Sequence, residues 1–158
     1  MAKEEKVCWF ATITRSGQWK KIDRRLGELG VEHYIPYSYK TMVFLHTTKS
    51  TALTLVNSGE VKGHFMIDHN THTLLEVPEK QMDNFMRLLD LSPEAECLSA
   101  VPLVKGDRVK VVKGALSGVE GDIVEEHGNL YLVVSVLSLL SARVEIPRSY
   151  VVPADGGE

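Results

Sequence analysis

The chain has 158 residues, enough for one ordinary domain or two small ones, each near the lower limit at which a single core sustains itself. Lys and Arg number 18 against 21 Asp and Glu, and the formal charge of −3 is spread thinly: residues 1–90 carry 12 basic and 11 acidic groups, residues 101–158 carry 6 and 8. Such a chain does not coat nucleic acid by phosphate attraction alone, and no apolar run approaches the roughly twenty residues that cross a bilayer. Cys8 and Cys97 are an isolated pair without a disulfide framework, and the N-terminus runs into a strand pattern without a signal-peptide core. The expectation is a cytoplasmic, membrane-free protein with reduced thiols.

In chain order, Val7-Cys8-Trp9-Phe10-Ala11-Thr12-Ile13 predicts a strand. Ser16 is then placed to cap a helix with Trp19, Ile22, Leu26 and Leu29 at helical spacing, and Gly30 before Val31 stops it. The other face of that helix carries Lys20, Lys21, Arg24 and Arg25. Strands are predicted around residues 32–36 and 41–46, a helix from Ser50 to about residue 59, and a strand around 63–67. Asp68-His69-Asn70 turns the chain into Thr73-Leu74-Leu75. Pro78 opens a last helix with Met82, Phe85, Met86 and Leu89 as its apolar stripe.

The order βαββαβ followed by a helix predicts a ferredoxin-like sandwich over residues 1–90. Residues 91–100, with Ser92, Pro93, Glu94 and Glu96, are expected to be a linker. From residue 101 the pattern changes. Lys105-Gly106-Asp107 leads into Arg108-Val109-Lys110-Val111, with the valines on one face and the cations on the other. Gly106, Gly114, Gly118 and Gly121 mark sharp turns, and further strand patterns occupy 122–126, 130–136 and 142–146. Four or five short strands in about fifty residues predict a small SH3-like barrel, so the fold class expected is α+β.

The glycine and strand pattern from Lys105 to Gly121 resembles the KOW motif, and the two predicted domains in this order resemble NusG-type transcription elongation factors. Met42-Val43-Phe44-Leu45-His46-Thr47-Thr48-Lys49, Phe65-Met66-Ile67-Asp68, the run from Val77 to Phe85, Val134-Ser135-Val136 and Ile146-Pro147-Arg148-Ser149 are similar to the specialised UpxY-type paralogues. The resemblance implies an NGN domain that docks on the clamp of the largest RNA polymerase subunits, the matching positions here being Trp9, Tyr39, Met42 and Phe44. Trp9 and Phe44 fit a strand core equally well. It also implies antitermination in long operons for capsular or surface polysaccharides, upstream or non-template DNA facing Lys20, Lys21, Arg24 and Arg25, and a KOW domain whose loops bind a ribosomal protein or termination factor. Leu116 and Leu137, Leu139 and Leu140 match those loops. The chain departs from the family at residues 36–42, where it has only Tyr37-Ser38-Tyr39-Lys40-Thr41 before the third strand.

No P-loop, GxSxG or HExxH pattern is present, and His64, His69 and His72 lack usual zinc spacing. The expectation is therefore a monomeric, non-enzymatic protein without metal or cofactor. The competing reading is a ribosome-associated KOW protein that binds RNA, which calls for a strongly basic barrel, and this one is acidic on balance.

Overall fold

In the computed structural model, residues 5–99 and 107–154 are described. The chain divides into two compact units, Met1–Glu79 and Lys80–Glu158. The described residues form three α-helices among strands in antiparallel sheets, an α+β fold.

The first unit runs β1 (Val7–Thr14), α1 (Trp19–Leu29), β2 (Glu32–Tyr34), β3 (Met42–Thr48), α2 (Lys49–Asn57) and β4 (Gly63–Phe65). The sheet order β2-β3-β1-β4 is the antiparallel order of a ferredoxin-like sandwich, and β7 (Glu76–Val77) adds to the same side of β1 as a continuation of β4. A small hairpin of β5 (Ile67–Asp68) and β6 (Thr73–Leu74) lies between them. Its turn is the expected one: Asp68 Oδ1 accepts the Asn70 amide at 2.8 Å, and His72 takes a positive φ of 58°. One face of the sheet, with Cys8, Phe10, Val43 and Leu45, packs on Ile22 and Leu26 of α1 and Ala52 and Leu55 of α2.

Gly30 ends α1 in the left-handed region, its amide bonding back to the Leu26 and Gly27 carbonyls. The start differs from expectation. Gln18 stands at the cap, because a turn at Gly17 (φ 86°) separates Ser16 from the helix. In α2 the capping hydroxyl is Thr48, which accepts the Thr51 amide at 3.2 Å, so Ser50 lies inside the helix. Strand β3 simply continues three residues further than its apolar run.

Helix α3 (Glu79–Leu91) begins on the last residue of the first unit and continues into the second. The second unit then has β8 (Glu96–Ser99), β9 (Asp107–Val111), β10 (Glu120–Glu126), β11 (Asn129–Val136), β12 (Leu140–Glu145), a single 3₁₀ turn at Arg148–Tyr150 and β13 (Val151–Pro153). Their order in the sheet is β13-β9-β10-β11-β12-β8, with no pairing between β13 and β8 to close it among the described residues. Strand β8 lies within the stretch expected to be a linker. Its register sets Glu96 against Arg143, whose guanidinium reaches Glu96 at 3.4 Å and Glu126 at 3.0 Å and covers the Tyr131 ring at 4.3 Å. That cross-strand pairing is invisible in composition.

The β10–β11 hairpin turns on His127 and Gly128, both at positive φ. Gly121 is required by packing, since a Cβ there would stand 2.6 Å from the Val133 carbonyl oxygen. Lys105 and Gly106 lie outside the described residues.

Candidate functional site

β1 and β3 are continuous apolar runs, so their sequences do not say which residues face which way. The register does. Trp9 stands opposite His46, Ala11 opposite Phe44 and Ile13 opposite Met42, and the period of two places all six on the face away from α1 and α2. Three of the four residues expected to dock on polymerase, Trp9, Met42 and Phe44, thus share one face. They are closed to solvent, Trp9 at 2%, Met42 at 4% and Phe44 at 0% exposure. Tyr39 lies apart from them in the connection between β2 and β3. It is half-buried, its amide donating to the Pro36 carbonyl at 3.0 Å, and Tyr37 beside it is exposed.

A polar centre sits among these apolar groups. Glu32, His46, Trp9 and Val77 form one transverse row across β2, β3, β1 and β7. The His46 ring stacks on Trp9 with centroids 4.5 Å apart and planes 16° from parallel. Its Nδ1 donates to Glu32 Oε1 at 2.7 Å and its Nε2 to Glu79 Oε2 at 2.9 Å. Burial pulls the imidazole pKa down, but the hydrogen bonds and charges of the two carboxylates outweigh it and the net shift is upward. Sequence reasoning missed this centre because Glu79 is 33 residues from His46 and only strand pairing brings them together.

The cations expected to face DNA are all exposed on α1. They are not equivalent. Arg25 makes a two-pronged pair with Glu60, Nε to Oε1 at 3.0 Å and Nη2 to Oε2 at 2.8 Å, and its Nη1 reaches Glu28 at 3.1 Å. Its charge is largely compensated in place. Lys20 lies 5.7 Å from the centre of the Trp19 ring, and Lys40, from the β2–β3 connection, lies over the same ring at 4.5 Å. Lys40 therefore joins the basic surface that the sequence assigned to α1 alone.

In the second unit Leu116 and Leu140 are buried, while Leu137 and Leu139 are half-buried in the β11–β12 turn. Leu137 takes a positive φ of 52°, and its amide donates to Gln81 Oε1 of α3 at 2.8 Å. Three more α3 side chains reach the start of β10 and the turn before it: Lys80 pairs with Glu120 at 3.1 Å, Asn84 accepts the Glu120 amide at 3.4 Å, and Arg87 donates to the Ser117 carbonyl at 2.8 Å. The loops expected to bind a partner are thus held by α3 through their backbone.

Among the described residues no cluster of three or more His, Cys, Asp or Glu is placed to hold a metal, and no helix is long and apolar enough to cross a membrane. Burial first, then Glu76, to which its Sγ donates at 3.5 Å, raises the Cys8 thiol pKa, which keeps the thiol protonated and unreactive.

No family model matches the chain, and no curated protein matches it by sequence. Among solved structures it is similar to the crystal structure of the MjSpt4:Spt5 complex in conformations A and B, at 15% identity and TM-scores of 0.34 and 0.33. The alignments cover 92% of this chain and 97% and 96% of those chains. Scores of that size do not distinguish a shared fold, so the architecture rests on the strand order and register above.

Proposed function

We propose that the chain is a NusG-like transcription elongation and antitermination factor of the UpxY type, which engages the clamp of RNA polymerase through its first unit and suppresses pausing or termination in long surface-polysaccharide operons. The observation that carries the reading is the sheet order β2-β3-β1-β4, with Trp9, Met42 and Phe44 gathered on one face by its register, in a chain whose later sequence has the KOW pattern. Fold alone does not assign function, and the sequence segments that resemble the family supply the rest. On this reading the protein is a cytoplasmic monomer without enzymatic activity or cofactor. Lys20, Lys21 and Arg24 contact upstream or non-template DNA, and a ribosomal protein or termination factor meets the β11–β12 turn.

The mechanism asks for no chemistry. A protein that binds the closed clamp better than the open one shifts the polymerase towards elongation, and about 1.4 kcal/mol of differential binding changes that balance tenfold. Docking through Trp9, Met42 and Phe44 requires their face to be uncovered first. Tyr39 is reachable without that step.

The test uses the full chain with RNA polymerase from the same cell. Co-purification, together with shorter pauses and more read-through in single-round transcription, is the expected result, with Tyr39→Ala weakening both. A folded chain that neither binds polymerase nor alters pausing overturns the proposal.

A further inference from the structure

His46 faces a carboxylate with each ring nitrogen, at 2.7 and 2.9 Å. A neutral imidazole has one N–H and one lone pair, so it can satisfy only one of the two, and the other carboxylate would confront a lone pair. The arrangement is complete only for the imidazolium. The two carboxylates come from different places: Glu32 from β2, and Glu79 from the residue at which the first unit ends and α3 begins. Val77 is already paired to Trp9, so the chain leaves the sheet between Val77 and Glu79, directly beside the histidine. The ring cannot swing away easily, because it is stacked on Trp9 and its side chain is only 20% exposed.

We propose that His46 is a proton-dependent latch that fixes the exit of the chain from the first unit: as an imidazolium it ties Glu79 to Glu32 across β3, and on losing a proton it releases one of them. This goes beyond the polymerase-binding reading and does not depend on it. The groups facing the ring are Glu32 from β2 and Glu79 from the head of α3, with the uncharged Trp9 from β1 against its plane. Glu76 of β7 is directed to Cys8, which also feels Lys6 and Glu79.

The direction of the switch follows from linkage. The folded value for His46 lies above the ordinary value of about 6.5, so the latch is fully closed below that pH and weakens as pH rises through the folded value. The carboxylates are 66% and 65% exposed, so Glu32→Gln and Glu79→Gln remove charge without disturbing the core.

The test is an NMR titration of His46 in the full chain, with amide exchange followed at residues 79–85, the first two turns of α3. In the wild type both ring nitrogens should be protonated at pH 6, the midpoint should lie above that of free histidine, and exchange corrected for intrinsic pH dependence should rise about fivefold or more through the same midpoint. Glu79→Gln should lower the midpoint and the double variant with Glu32→Gln should lower it further. His46→Phe, which keeps a ring against Trp9, should make corrected exchange fast and flat with pH. A wild-type midpoint at or below 6.5, or exchange that ignores pH while the ring titrates, overturns the latch. If His46→Phe does not fold, the two exposed Gln variants still decide the matter by their midpoints.

Discussion

The central strands of the two units bury their residues differently. In the first, Trp9, Phe10 and Ala11 on β1, and Val43, Phe44 and Leu45 on β3, are all buried, on both faces of the sheet. In the second, β11 alternates, with Leu130, Leu132, Val134 and Val136 buried and Tyr131, Val133 and Ser135 only partly so. The contrast teaches how far an apolar pattern can assign roles. Alternation names the core face directly, whereas a continuous run shows only that both faces are covered. A docking residue and a core residue look alike in such a run.

The largest effects should come from breaking that contrast. Phe44→Ala and Leu45→Ala are neighbours on opposite faces, yet each should cost about 2–5 kcal/mol of stability, because each leaves a cavity in packed surroundings. On β11, Leu132→Ala should cost about as much, but Val133→Ala only about 1 kcal/mol or less. Both tryptophans lie in the first unit, so their fluorescence during urea unfolding follows that unit, and far-ultraviolet dichroism follows the whole chain. A small cost at Phe44 would mean that its face is poorly packed and the contrast false.

A second effect of about 1–3 kcal/mol is expected at Gly121→Ala, where the new methyl meets the Val133 carbonyl and the Val134 and Leu132 side chains. The substitution acts at β10, against the buried side of β11. Loss of stability there without loss of the tryptophan signal would show that the two units unfold separately. Equal loss in both signals would show one cooperative transition.

These positions also mark what could be seen in the sequence. The helices, the β-order of the first unit and the valine alternation of β9 are local patterns, and local patterns survive translation into structure. Strand β8 was not legible, because four residues after a Pro-Glu turn acquire strand geometry only through pairing with β12. The candidate site was legible in type but not in arrangement. Trp9, Met42 and Phe44 could be named, while their common face depends on a register that connects residues far apart in the chain. The His46 centre and the placement of Lys40 over Trp19 depend on the same long-range pairing.

The cap of α2 offers a smaller test of the local reading. Thr48→Ala should destabilise the first unit by about 1 kcal/mol through loss of the bond to the Thr51 amide, and Ser50→Ala should change it by no more than a few tenths. The reverse order would restore the shorter strand that the sequence suggested. Tryptophan-detected unfolding again gives the answer.

The smallest effect concerns four cations that the sequence treats as one face. If that face meets phosphate, each freed contact contributes about 0.9 to the slope of log affinity against log salt on duplex DNA. Arg25 is already committed to Glu60 and Glu28. Contact with phosphate therefore requires it to give up bonds of the same kind, with little net counterion release. Among the described residues Lys21 and Arg24 carry no such hydrogen-bonded pairing, and Lys20 is engaged with an aromatic ring. Replacing Lys20, Lys21 and Arg24 together by Gln should lower the slope for the polymerase elongation complex by about one to three. Arg25→Gln should leave it unchanged within error, although both variants remove positive charge from one helix. An equal slope change per charge at all four sites would mean that the Glu60 pair opens on binding, so that the face acts as a whole after all. No change in either variant would remove DNA from the list of partners while leaving the polymerase contact standing.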